Sequence, residues 1–288
     1  MLSHIKDILK KAESRGYAVG AFNIHNFETI LGVANAAVKA KSPVIIQVSE
    51  GTINYMGLKP VTHIVSTVAK NTAVPIALHL DHGKSLDVVF ECIAAGFTSV
   101  HIDASHLPLD ENIKLTREVV EFSHTKNVWV QGEVGAMVGG HGDIHGKIEI
   151  PLAELEDVVS FAKKTKIDTI AAAIGTAHGA YDNESINFPL LKSIKARVDI
   201  PFVLHGGSGI SDEEIQKAIK MGVNVINIGT DIKVGFCQAL IKQCRDNQEE
   251  TDPRKLLMPA IETVEKIAIA KMELFGSAGK FPLSKVLT

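Results

Sequence analysis

The sequence predicts an α/β fold, a single (β/α)8 TIM barrel with additional C-terminal helices, and two observations carry that prediction. Eight short apolar, β-branched runs recur along 288 residues, and a stretch of helical period separates almost every pair of them. The runs are continuous rather than alternating, so they suit a parallel sheet covered on both faces; eight such units fit a closed barrel better than an open doubly wound sheet. No GxGxxG follows the first run and no linker divides the chain, so residues 1–288 read as one domain.

In chain order the strand runs are YAVGAFNIH (17–25), SPVIIQVS (42–49), VPIALHLD (74–81) and FTSVHID (97–103), then VWVQGEVG (128–135), DTIAAAIGTAH (168–178), IPFVLHG (200–206) and VNVINIGT (223–230). Helical period fills the gaps, for example FETILGVANAAVKA, SLDVVFECIAAG, ENIKLTREVVEFSHTK, LAELEDVVSFAKKT and SDEEIQKAIKMG. Asp110 and Ser211 stand where N-caps are expected, ahead of acidic first turns. Gly96 and Gly222 follow last helical turns as C′ glycines. Residues 231–288 read as helices that finish the last βα unit and extend it.

Composition excludes several function classes. Net charge is -3 with both signs mixed along the chain, so no basic arm recommends a nucleic acid or an anionic membrane, and an anionic ligand must be met locally. No apolar run reaches the roughly 18 residues a membrane span needs. The amphipathic start, MLSHIKDILKKAESRG, lacks the apolar core of a secretory signal. Three cysteines, Cys92, Cys237 and Cys244, without a CxxC pair suit reduced, buried thiols. The expectation is a soluble cytoplasmic protein.

Functional residues of such barrels sit at the C-terminal ends of the strands. Asn23 and His25 close the first run, Ser49 the second, Asp81 and His82 the third, Asp103 the fourth and Glu133 the fifth. His178 closes the sixth, His205 the seventh, and Asn227 with Thr230 the eighth. Interior strand positions otherwise read as Val, Ile, Leu and Ala. Three histidines with an open fourth position are the usual shell of a catalytic zinc acting as a Lewis acid. His82, His178 and His205 are each followed by glycine, which lets a ligand approach the backbone; Gly83 is expected to be the gap that admits substrate. Asp81, pointing away from His82 in an extended segment, is placed to move a proton. His79 is left over, as a histidine behind the site or in the core. No lysine lies inside a strand for a Schiff base, Lys84 and Lys233 being expected in solvent.

Across GAFNIHN (20–26), VPIALHLDHG (74–83), GFTSVHIDASH (96–106), AAAIGTAHG (171–179), VLHGGSGI (203–210), VNVINIGTDIK (223–233) and GSAGK (276–280), the chain resembles the zinc-dependent class II ketose-bisphosphate aldolases, tagatose- and fructose-bisphosphate branch. The resemblance implies reversible cleavage of a ketose 1,6-bisphosphate to dihydroxyacetone phosphate and glyceraldehyde 3-phosphate. It implies Zn2+ on His82, His178 and His205, with Asp103 and Glu133 as candidates for a second cation, a monovalent cation being a further cofactor candidate. Asp81 becomes the proton donor and acceptor. Gly179, Gly206, Gly207, Ser208, Asn227, Ile228, Gly229 and Thr230 become substrate-binding, with Asn23 and Ser49 as further candidates. HGGSG and NIGT put free backbone N–H groups where barrels bind phosphate. A homodimer or homotetramer is implied, as is a segment near a neighbouring subunit's site, here DPRKLLMPA (252–260), in which Arg254 reads as a surface or helix-start residue.

The chain departs from the family after the fifth run, where QGEVGAMVGGHGDIHG (131–146) replaces E-x-E-L-G, two residues and G-G-x-E. Gln131 stands for the first glutamate, and the loop glutamate that moves the C3 proton is missing. Asp143, His141 or His145 can take that role, on a segment read as a flexible loop. The alternatives are an aldolase on a related modified sugar phosphate, or a catalytically weak zinc-binding homologue acting as a partner subunit. A zinc hydrolase is weakened because the first run ends NIH, with no HxH pair.

Overall fold

A computed structural model of the chain describes residues 2–281, the side chains of residues 140–144 excepted. Its order is α1 (Ile5–Arg15), β1 (Val19–Asn23), α2 (Phe27–Ala40), β2 (Val44–Ser49), α3 (Glu50–Met56), α4 (Leu58–Lys70), β3 (Ile76–Gly83), α5 (Leu86–Ala95), β4 (Ser99–Ile102), α6 (Leu109–Thr125), β5 (Trp129–Val134) and β6 (Gly139–Ile144). Then come α7 (Leu155–Thr165), β7 (Thr169–Ala172), β8 (His178–Ala180), α8 (Phe188–Arg197), β9 (Phe202–Leu204), α9 (Asp212–Lys220), β10 (Val223–Ile228), α10 (Thr230–Asp246) and α11 (Pro253–Leu274). Eight parallel strands close into a barrel in the order β1-β10-β9-β7-β5-β4-β3-β2, while β6 and β8 pair outside it.

The barrel is filled in two layers. α1 buries Ile5, Ile8, Leu9 and Ala12 against Ala21, Ile45, Ala77, Ala171, Val203 and Val225, closing the N-terminal end. Each large side chain so buried contributes about 1.5–3 kcal/mol. Two residues further along most of the strands, on the same face, the interior turns polar: Asn23, Gln47, His79, Gln131, His205 and Asn227 are all buried. The expected apolar interior therefore holds only for the lower half. The outward faces, Phe22, Ile46, Leu78, Leu80, Phe202 and Ile228 among them, pack with the helices into a second, larger core.

Local chemistry explains the helix ends. Ser211 accepts from the Glu214 amide as the cap of α9, and Gly96 ends α5 at φ 105°. The cap of α6 lies two residues before the expected one: Pro108 is its N-cap, and Asp110 sits in the first turn, where its charge faces the helix dipole. The C-terminal helices pack on the barrel, with α11 against α2 and α10. The GSAGK segment then docks, as Ser277 Oγ meets Ser42 Oγ at 2.8 Å.

Two strand expectations change. The sixth run is split: β7 ends at Ala172, and His178 lies beyond it in β8. The segment read as a flexible loop is strand β6, with Gly139 opposite His178 and Ile144 opposite Ala180. Gly139 is forced there, because at φ 88° a Cβ would come 2.3 Å from the His178 carbonyl oxygen. Among the described residues no helix is long and apolar enough to cross a membrane.

Candidate metal centre and active site

At the C-terminal mouth, β3 supplies two groups through a bulge. Its register with β4 shifts between Leu80 and Gly83, and His82 has φ 49°, a strained value for a residue other than glycine. The bulge overrides alternation: instead of pointing apart, Asp81 and His82 converge, with His82 Nε2 3.8 Å from Asp81 Oδ1. Gly83 serves the same bulge rather than opening a gap for substrate. It is buried, and a Cβ would meet the His101 carbonyl oxygen at 2.9 Å and Leu80 Cδ2 at 2.8 Å.

His82, His178 and His205 come together as expected. The His82 ring lies edge-on to both others, with centroids 4.8 Å from each, and His178 and His205 are 6.0 Å apart. His82 Nδ1 donates to Asp103 Oδ2 at 2.6 Å, which fixes the tautomer and leaves Nε2 facing His205 Nδ1 at 3.0 Å. Two imidazole nitrogens that close share a proton or a cation. Asp103 is taken up by this bond and by Ser105, whose Oγ donates at 2.7 Å. Gln131, the residue standing for the family's glutamate, bonds His205 from the far side, Nε2 to Nε2 at 2.8 Å.

Charge explains why a cation suits this cluster. Burial disfavours the charged form of His82, but Asp81, the bond to Asp103, and Glu133 override it and push its pKa up to about 10. The surroundings thus favour positive charge on that nitrogen. Burial likewise opposes ionisation of Asp81, yet His82, His205 and the hydrogen bond from Asn23 hold its carboxyl well below the usual range. Asn23 Nδ2 donates to Asp81 Oδ2 at 2.7 Å and Gln47 Nε2 to Oδ1 at 3.2 Å. Glu133 has fewer partners, and burial pushes its pKa up to about 8. His101, which sequence reasoning passed over, is fully buried beside it, His101 Nε2 lying 3.7 Å from Glu133 Oε2. Neither atom has a hydrogen-bond partner. Orphaned polar atoms facing imidazoles and carboxylates are what a metal-binding pocket presents, so the residues fit a divalent cation.

The remaining candidates divide. Asn23, Gly179, Gly206, Ser208, Asn227, Gly229 and Thr230 line one crevice with Asp81 and the three histidines. Gly207 lies between them, its amide bonded to the Asn227 carbonyl, and Ser208 Oγ accepts from the Asp231 amide. The N-terminus of the 17-residue α10 opens onto this crevice. Ile228 turns its side chain into the core among the helices and offers only backbone. Ser49 caps α3 and lines a neighbouring cavity with Asn23, His25, Tyr55 and Lys233. Lys233 is accordingly half-buried rather than solvated, and Lys84 is exposed. No lysine is buried among the described residues. His79 is a core histidine under Asp81, its Nδ1 2.9 Å from Ser99 Oγ. His145 is exposed beside Asp182, while the side chains of Asp143 and His141 lie outside the described residues.

The sequence model "Fructose-bisphosphate aldolase class-II" matches residues 3–280. The chain belongs to this family. As a class II aldolase it is a lyase of a metal-dependent family whose substrates are phosphorylated sugars. It is similar to a fructose-bisphosphate aldolase from Geobacillus stearothermophilus, 41% identical over 97% of this chain and 98% of the relative. It is also similar to the 6-phospho-5-dehydro-2-deoxy-D-gluconate aldolase of Bacillus subtilis (strain 168), 39% identical over 96% of each. Among solved structures, the YdjI aldolase from Escherichia coli K12 superposes with TM-score 0.84 at 33% identity, covering 98% of this chain and 100% of the other.

Proposed function

We propose that the protein is a zinc-dependent aldolase that reversibly cleaves a ketose 1,6-bisphosphate to dihydroxyacetone phosphate and glyceraldehyde 3-phosphate. One observation carries the reading: three imidazoles from β3, β8 and the end of β9 meet beside an ionised, doubly hydrogen-bonded Asp81. His82, His178 and His205 would hold the metal, which when bound supplies a Lewis acid for the charge that develops on the substrate's C2 oxygen.

Asp81 takes the proton from the C4 hydroxyl as the C3–C4 bond breaks, and returns it in the condensation direction. Asn23 and Gln47 orient its two oxygens for that transfer. The backbone amides of Gly206 and Ser208, with those at the start of α10, hold the phosphate of the dihydroxyacetone half, while Gly207, its amide taken by the Asn227 carbonyl, lets the phosphate approach the loop. Gly179 on β8 and the Asn227–Thr230 corner complete that wall. Asp143 on β6 is the candidate for the C3 proton. We propose the same 1–288 domain, acting in the cytoplasm as a homodimer or homotetramer.

A second reading, an aldolase on a modified sugar phosphate, is favoured by the Bacillus subtilis relative and by the absent loop glutamate. A panel of fructose and tagatose 1,6-bisphosphates and 6-phospho-5-dehydro-2-deoxygluconate decides between them. Cleavage of a ketose bisphosphate at the highest kcat/KM is expected. Preference for the deoxygluconate would replace the first reading with the second, and turnover of none would refute both.

A further inference from the structure

Between the apolar layer of the barrel and its mouth lies a small cavity. Gln47, His79, Gln131, Thr169 and Asn227 wall it and Ile5 of α1 floors it, each of them buried. Three side-chain atoms of that wall, Gln47 Oε1, His79 Nε2 and Asn227 Oδ1, are buried without a hydrogen-bond partner in the protein. Buried polar atoms are paired almost without exception, so three orphans around one cavity call for a shared partner. About 10 Å³ of the cavity is open to the centre of a water, which is room for one.

The other half of each side chain fixes what these atoms offer. A carboxylate only accepts, so Gln47 turns Nε2 to Asp81 Oδ1 at 3.2 Å and leaves its carbonyl oxygen facing the cavity. Asn227 presents Oδ1, a second acceptor. Burial holds the His79 ring neutral, its pKa lowered to about 4, and its Nδ1 stands 2.9 Å from Ser99 Oγ. With Ser99 donating to Nδ1, the single ring proton lies on Nε2. Two acceptors and one donor match the two protons and a lone pair of one water. A monovalent cation would meet only two oxygens and would face an N–H. We propose that this cavity binds one structural water, which accepts from His79 Nε2 and donates to Gln47 Oε1 and Asn227 Oδ1, and that His79 is thereby a positioning residue for the mouth.

The water sets two amides at once. Gln47, held through its oxygen from below, cannot turn over, so Nε2 stays on Asp81. A reversed Gln47 would put a carbonyl oxygen against a carboxylate, two acceptors facing each other. Asn227 lines both this cavity and the crevice above it, so an oxygen pinned below leaves Nδ2 as the donor toward the crevice. His79 lies two residues before Asp81 on β3 and pairs in register with Gln47 of β2, so it acts on the mouth without touching substrate.

The positioning role rests on the reading of Asp81 as the base, and the test keeps the two apart. A high-resolution crystal structure of the zinc-loaded protein should show one water within hydrogen-bond distance of Gln47 Oε1, His79 Nε2 and Asn227 Oδ1. Cleavage kinetics, zinc affinity and circular dichroism melts are measured on His79→Leu and His79→Gln, alone and combined with Gln47→Leu. His79→Leu removes the donor and should lower kcat by about tenfold, the worth of a hydrogen bond to a charged group, with zinc affinity unchanged. His79→Gln returns an N–H near the position of Nε2 and should recover most of that loss. In the Gln47→Leu background His79→Leu should cost little more, because both act through one contact. The proposal falls if the map shows no water or a metal ion there, if a folded His79→Leu keeps its kcat, or if His79→Gln loses as much as His79→Leu. Should His79→Leu not fold, the map of the unaltered protein decides. An Asp81→Asn protein with full cleavage would end the base reading and the positioning role with it, while the map still decides the water.

Discussion

Replacing Gly206 with alanine tests whether the ligand histidines are held by backbone contact between two loops. Gly206 follows His205 and has φ 72°, and a Cβ there would lie 2.2 Å from the carbonyl oxygen of Ala177 and 3.0 Å from its carbonyl carbon and amide nitrogen. Ala177 is fully buried and immediately precedes His178. Relief to an ordinary contact of about 3.2 Å requires the two loops to part by about 1 Å, and the displacement acts on His205 and His178 together. The left-handed backbone costs alanine roughly 1–2 kcal/mol, and overpacking adds about 1–3. The sum, about 2–5 kcal/mol, corresponds to a fall in Tm of several degrees, at about 2–4 °C per kcal/mol for a chain of this size. An ångström of misplacement costs catalysis about 100-fold. The assay is kcat for ketose-bisphosphate cleavage at saturating zinc, with zinc affinity by chelator competition and Tm by calorimetry. A Gly206→Ala protein with unchanged kcat, affinity and Tm would refute the idea that this contact positions the two histidines.

Asn23→Ala removes a charge-assisted hydrogen bond from Asp81, worth about 1.5–3 kcal/mol. Because the bond favours the ionised form, its loss raises the Asp81 pKa, and the acid limb of kcat/KM at saturating zinc should move to higher pH by about one to two units. An unmoved limb argues against Asp81 as the base. Phe275, buried at the end of α11, accepts through its carbonyl oxygen from the Ala18 amide, and Phe275→Ala should cost about 3–5 kcal/mol in urea unfolding with zinc affinity unchanged. A loss below about 1 kcal/mol would mean that the C-terminal helices are not part of the barrel's core.

The barrel was legible because its strands are continuous apolar runs and its helices carry strong period and caps. α2 occupies the very stretch, FETILGVANAAVKA, that the period marks. The mouth residues were legible because strand ends fall where the apolar runs stop. What escaped has physical reasons. The AAAI run continues past the true end of β7, so nothing in it reveals that His178 sits on a separate strand. β6 is glycine-rich with no apolar face, and pattern alone reads it as a loop. The bulge at Asp81–His82 depends on how β3 meets β4, which no local signal encodes. His101 and Gln131 had a signal that went unused: polar residues at period two in SVHID and QGE mark one face of each strand, and that face is the barrel interior.

The central claim, that a metal held by the mouth histidines and not a lysine carries the cleavage, is tested most directly by chelation against borohydride trapping. With a ketose bisphosphate as substrate, a strong chelator should abolish cleavage and added Zn2+ restore it, while borohydride with substrate leaves activity intact. Activity that survives chelation and is lost to borohydride would contradict the account.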